Sequence, residues 1–167
     1  MPKDWIIAVC ADASHGNLNG GVDSSMGYVV FIVNPQHHSS PSSWRSGKVK
    51  RVVRSTIAAE TLAMIEGLED GIYLQHSMKE LLGVEIPIVG YTDNQGQELA
   101  LKSTKLTDDR RLRIDIAGIK EMLKNGLVRE IRICSTGDQL ADCLTKKTAD
   151  NRKLLHCLQN GVFDLEF

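Results

Sequence analysis

Apolar and polar positions along the chain change period several times, and each change marks an element. Residues 5–11 (WIIAVCA) form an apolar run of strand length that stops at Asp12. Residues 14–25 (SHGNLNGGVDSS) are rich in Gly, Asn and Ser and predict a loop. A second strand is expected over residues 26–33 (MGYVVFIV), stopped by Asn34-Pro35, with residues 36–43 (QHHSSPSS) as the following turn. Residues 45–54 (RSGKVKRVVR) alternate charge and valine, the pattern of a half-exposed edge strand. The period then becomes helical, with Ala59, Leu62, Ile65, Leu68 and Ile72 spaced by three and four. Ser55 or Thr56 suits the N-cap of this helix, and Gly83 suits its end after Leu82.

Beyond Gly83 the pattern predicts a fourth strand over residues 86–92 and a short helix over residues 95–102. Leu112, Ile116, Ile119 and Leu123 mark another helix, closed by Asn125-Gly126, and residues 128–134 alternate as a fifth strand. A final helix is expected to begin at residues 139–146, with further turns over residues 151–159. The order β-β-β-α-β-α-α-β-α predicts an α/β fold: a five-stranded mixed sheet, three strands antiparallel and then two parallel, with helices packed over it. No repeat or linker breaks the chain, so residues 1–167 are expected to form a single domain. Met1-Pro2-Lys3 is read either as a natural start or as the cut end of a longer protein.

Four acids fall at the ends of these elements. Asp12 ends the first strand, Asp93 ends the fourth, Glu60 lies in the first turns of the long helix, and Asp142 opens the last one. Each alone reads as a helix cap or a solvated loop residue. Their coincidence favours a shared site, because close carboxylates repel one another unless a cation holds them. Magnesium takes oxygen ligands, and two such ions about 3.5–4 Å apart activate water and stabilise the leaving oxygen of a phosphodiester.

Composition changes this picture little. Hydrophobic residues make up 42% of the 167 residues, enough for a core without disulfides or metals. The formal net charge of −1 does not itself predict a nucleic-acid partner, so such a partner must be argued from local charge. Cys10, Cys134, Cys143 and Cys157 form no C-x-x-C pair and read as reduced thiols of an intracellular protein. No apolar run approaches membrane-spanning length and no signal-peptide pattern is present, so no membrane partner is expected.

The motifs ADAS (residues 11–14), STIAAETLA (55–63), YTDNQ (91–95) and DQLADCLTK (138–146) resemble, in order and context, the ribonuclease H domain of copia-type LTR retrotransposons. RRLRIDIAGIKEML (110–123) also resembles the helix before the last strand of that domain. The resemblance covers nearly the whole chain. It implies a ribonuclease H-like fold with helices on both faces of the sheet, at the end of a Pol polyprotein. It implies an endonuclease that cleaves the RNA strand of RNA–DNA hybrids during reverse transcription, with two Mg²⁺ ions or Mn²⁺ in their place. Carried across, Asp12, Glu60, Asp93 and Asp142 match the metal-binding and catalytic acids. The partners implied are the hybrid and the reverse transcriptase domain of the same polyprotein, in a cytoplasmic virus-like particle or in the nucleus. One departure is that STGDQLAD (135–142) contains no His, whereas cellular ribonucleases H carry one before the last acid. His15 could approach the site, although a solvated loop histidine is the better reading.

For nucleic-acid contacts the expected residues are Ser14, Asn17, Asn94 and Gln95 beside the acids, and Arg45, Lys48, Lys50 and Arg51 on the basic strand beside Trp44. The basic strand can equally be edge protection. A second basic cluster, from Lys102 to Arg113, is diluted by Asp108 and Asp109. Two other readings remain: a catalytically silent module that binds nucleic acid or protein, and a DNA nuclease of the same fold.

Overall fold

The computed structural model describes residues 4–21, 23–105 and 107–166; Met1-Pro2-Lys3 and Val22 of the expected loop lie outside the described residues. The sheet has five strands in the order β3-β2-β1-β4-β5. These are β1 (Ile6–Leu18), β2 (Asp23–Val33), β3 (Ser39–Lys48), β4 (Ile88–Thr92) and β5 (Glu130–Ile133). The helices are α1 (Thr56–Leu82), α2 (Gln95–Lys102), α3 (Arg110–Lys124) and α4 (Arg152–Asn160). β1, β2 and β3 are antiparallel, and β4 and β5 add on parallel to β1. The mixed sheet expected from the element order is present.

β1 is central, which is why residues 6–13 read as a continuous buried run. Ile7, Val9, Ala11 and Ala13 pack against α1, whereas Ile6, Ala8 and Cys10 pack with Leu154, Cys157 and Phe163 on the opposite face. α1 starts at its Ser55 cap, whose side chain accepts from the Ala58 N–H, and ends at left-handed Gly83. Of the apolar positions expected on its inner face, Ala59 and Leu68 are buried and Leu62, Ile65 and Ile72 only partly so; Ala63, Met64, Gly67 and Gly71 complete the buried stripe. A Cβ on Gly67 would come within 2.7 Å of Val9 Cγ1, so the helix lies very close to the strand.

Three expectations are corrected. Residues 14–18 are strand, because the end of the β1–β2 hairpin is held by polar groups that hydropathy does not see. Asn17 Oδ1 accepts from the Ser25 N–H at 3.1 Å and from its hydroxyl at 3.0 Å, and Ser24 Oγ accepts from the Gly16 N–H. The edge strand β3 is Ser39–Lys48, shifted towards the N-terminus from the expected residues 45–54. Its backbone pairs with β2 from Val33↔Ser39 onward whatever the side chains are, and Pro41 sits at the register shift. Trp44 on that strand is 68% exposed and packs into no core. Lastly, residues 139–146 are no helix. A short 3-10 turn, Thr136–Asp138, precedes this stretch and another, Asp142–Leu144, stands within it and is opened by Asp142.

Candidate metal centre

The carboxylates of Asp12, Glu60 and Asp93 each bring an oxygen within 4.8 Å of the others. Three elements make this meeting. β1 and β4 run parallel in the register Cys10↔Tyr91, so Asp12 and Asp93, each two residues further on, lie side by side at the same end of the sheet. α1 crosses β1 and presents Glu60 from above, where Glu60 Oε2 accepts from the Ala13 N–H at 3.1 Å. Asp93 does not cap α2. That role belongs to Asn94, whose Oδ1 accepts from the Gln97 N–H at 2.9 Å, and Asp93 is left to the cluster.

The electrostatics are compatible with a cation site. Asp12 is 1% exposed and Glu60 5%. Burial, helped by the charges of Asp93 and Asp142, raises Asp12 to about 6 against the lowering effect of Thr145 and Lys146. Burial, with the charges of Asp12 and Asp93, raises Glu60 to about 9. Anionic forms so disfavoured are stabilised by a bound cation. The donors are all carboxylate oxygens, which fits a hard divalent ion such as Mg²⁺ or Mn²⁺ better than a thiol- or imidazole-seeking one.

Asp142 stands across from this trio, joined to it through Lys146. The Lys146 ammonium bonds Asp142 Oδ1 and lies 3.7 Å from Asp12 Oδ2. The Thr145 hydroxyl donates to Asp12 Oδ2. Two residues here escaped the sequence reading as parts of the site, Gln139 and Thr145, while Lys146 is read from the sequence as either a helix C-terminal charge or a phosphate contact. Gln139 is buried, and its Nε2 donates to the carbonyls of Ala11 at 3.0 Å and Tyr91 at 3.2 Å. It thereby ties together the two strands that end in Asp12 and Asp93. It also bends the backbone, its Oε1 accepting from the Ala141 N–H, so no regular helix forms there. The only sequence signal was a polar residue inside DQLADCLTK.

The expected nucleic-acid residues have mixed positions. Ser14 is half-buried on β1 and Gln95 is exposed in the first turn of α2. Asn17 has its amide engaged in the fold, donating to the Thr145 carbonyl at 2.9 Å. Arg45 pairs with Glu66, Lys48 with Asp23 and Arg51 with Asp115, while Lys50 is exposed beyond the end of β3. His15 is turned towards Ser24, its Nδ1 3.1 Å from that hydroxyl. A groove of about 860 Å³ runs beside the site, lined by Ser14, Asn17, Lys48, Lys146 and Lys147 among others. Arg51, Arg54, Arg110 and Arg111 line a second cavity of about 330 Å³ with Asp108 and Asp109. All four cysteines are free. Among the described residues no helix is long and apolar enough to cross a membrane.

This topology is the ribonuclease H-like fold, and solved structures agree. Ribonuclease H1 of the archaeon Halobacterium salinarum is 19% identical with a TM-score of 0.58, over 89% of this chain and 96% of its own. LC11-RNase H1 in complex with RNA/DNA hybrid is 18% identical with a TM-score of 0.58, over 89% and 99%. The protease-reverse transcriptase of prototype foamy virus has a TM-score of 0.52 at 14% identity, over 99% of this chain and 22% of its own. No protein-family model matches the chain. The Retrovirus-related Pol polyproteins from transposons RE1 and RE2 of Arabidopsis thaliana are 34% and 33% identical over 126 residues, 74% of this chain. The chain is thus a ribonuclease H-like domain whose homologues are copia-type Pol polyproteins. It spans 8% of the length of these relatives.

Proposed function

We propose that the domain is a metal-dependent endoribonuclease that hydrolyses the RNA strand of RNA–DNA hybrids during reverse transcription of a retrotransposon. The observation that carries this is the meeting of Asp12, Glu60 and Asp93 within 4.8 Å at one end of a ribonuclease H-like sheet. Asp12, Glu60 and Asp93 would hold one ion, and Asp12 with Asp142 a second. When bound, such ions supply an activated water and stabilise the leaving oxygen of the phosphodiester. The chain's own residues do the positioning. The Ala13 N–H orients Glu60, Gln139 locks the β1 and β4 ends in register, and the Asn17–Thr145 hydrogen bond holds the segment that carries Asp142. Ser14 and Gln95 flank the acids at accessible positions from which a sugar edge can be read.

Lys50 and the lysines of the 860 Å³ groove offer phosphate contacts, and Arg45, Lys48 and Arg51 reach phosphate only by leaving their carboxylate partners. The relatives are Pol polyproteins and one structural neighbour is a protease-reverse transcriptase, which supports joint action with a reverse transcriptase domain. The expected setting is a cytoplasmic particle.

The test is cleavage of labelled hybrid with Mg²⁺, Mn²⁺ or EDTA, with double-stranded RNA and double-stranded DNA as controls. Metal-dependent cutting of the RNA strand of the hybrid alone is expected. In Asp93→Asn that cutting falls at least ~10³-fold while the melting temperature is retained, since Asp93 caps no helix. Wild-type cleavage by that variant removes the proposal, and cutting of duplex DNA instead points to a DNA nuclease of the same fold.

A further inference from the structure

Lys146 stands out among the charged groups near the site. Among the described residues it is the cation ion-paired to the four acids, contacting Asp142 directly and lying 3.7 Å from Asp12. Its direct contacts are with Asp12 and Asp142, and it acts on Glu60 and Asp93 only through longer-range charge. Its backbone is fixed. The Lys146 N–H donates to the Asp142 carbonyl at 3.2 Å, and the neighbouring Thr145 carbonyl accepts from Asn17 and from Ser25 at 2.8 Å. The Thr145 side chain bonds Asp12 itself. The Lys146 side chain is held only at its tip, by the Asp12 and Asp142 carboxylates. It is 40% exposed and opens onto the groove that Lys147 and Lys48 also line.

We propose that the Lys146 ammonium occupies the second cation position, between Asp12 and Asp142, and that a second divalent ion binds there only by displacing it. This rests on the metal-dependent reading above. The physical reason is charge balance. An ammonium carries one positive charge on a tether and neutralises the Asp12–Asp142 edge by direct ion pairs, whereas among the described residues Glu60 and Asp93 make no ion pair and feel the Lys146 charge only at longer range. The first ion then meets carboxylates of which Glu60 and Asp93 have no ion-pair partner among the described residues, and the second meets an occupied pair. Binding is stepwise, tight then weak. The displaced side chain swings into the groove, and the ion pair lost on the way sets the gap between the two affinities.

The experiment is calorimetric titration of the wild-type domain, Lys146→Gln and Lys146→Arg with Mg²⁺ and Mn²⁺, without nucleic acid. Wild type is expected to show one tighter and one weaker site. In Lys146→Gln the weaker site tightens about tenfold or more while the tighter one moves less than about threefold, and Lys146→Arg behaves as wild type. A second measurement needs no variant. In ¹³C NMR of the wild-type protein, the Lys146 ε-carbon signal shifts along the second Mg²⁺ binding step and not the first. Equal second-site affinity in wild type and Lys146→Gln overturns the inference and leaves the nuclease reading standing, as does an ε-carbon signal that ignores the second ion. Absence of any divalent binding to either protein overturns both.

Discussion

Glu60 is 5% exposed and accepts one hydrogen bond, from Ala13, which is too little to hold a carboxylate charge beside Asp12 and Asp93. Its pKa of about 9 against an ordinary 4.5 means that the folded, metal-free protein binds a proton that the unfolded chain releases. A raised carboxyl destabilises the fold as pH rises from 4.5 to about 9, and Asp12 adds to this between 3.8 and about 6. The metal-free melting temperature is therefore expected to fall over that window, and Mg²⁺ to raise it more at about pH 9 than at about pH 6. Replacing Glu60 by Gln should flatten the metal-free curve and stabilise the apo domain at pH 8 by on the order of 2 kcal/mol, at the cost of metal affinity. Scanning calorimetry across pH, with and without the ion, checks both signs. Asn17 makes a different point at this scale. Its exposed position in a Gly/Asn-rich stretch suggested substrate contact, yet its amide joins Ser25 to Thr145. Asn17→Ala is expected to cost about 1–2 kcal/mol in chemical denaturation and to weaken cleavage through the loosened Asp142 segment.

At the scale of elements, the site depends on how near α1 lies to the sheet. Gly67 permits that approach, since an added Cβ would stand 2.7 Å from Val9 Cγ1 and 3.2 Å from Tyr28 Cβ. Gly67→Ala pushes the helix outward and is expected to destabilise by about 1–3 kcal/mol. Because Glu60 rides on the same helix, two turns earlier, the variant should also bind Mn²⁺ more weakly than its stability loss alone explains. Calorimetric metal titration at a temperature where the variant is fully folded separates the two effects. The parallel β1–β4 pair is the other determinant. Gln139 bridges its carbonyls, which is why the segment after β5 forms tight turns where the apolar spacing alone suggested a helix.

For the whole molecule, charge decides how firmly a polyanion is held. The formal net charge is −1, and three of the basic residues expected to meet phosphate pair with carboxylates of their own chain. The chain also spans 8% of the length of its Arabidopsis relatives. The isolated domain is expected to bind RNA–DNA hybrid with a Kd no tighter than about 1 μM at physiological salt, as measured by fluorescence anisotropy. Joining it to the reverse transcriptase segment of such a polyprotein should tighten binding at least about tenfold through effective concentration. A nanomolar Kd for the lone domain would show that the paired arginines release their partners readily.

The strand-then-helix order, the caps at Ser55 and Gly83, the bounds of α2 and the three acids that meet were all legible in one dimension. Apolar periodicity reports burial along a single element, and buried elements make up most of this sheet. What periodicity does not carry is pairing between polar segments. The extension of β1 to Leu18, the place of β3 and the turns around Asp142 rest on backbone ladders and side-chain amides, which leave no trace in hydropathy. The partnership of Lys146 with Asp12 also joins residues 134 positions apart, which only the closed fold brings together. The sequence contained the acids; the packing of α1, β1 and β4 decided which three of them meet, and the turn after Gln139 decided that Asp142 pairs with a lysine.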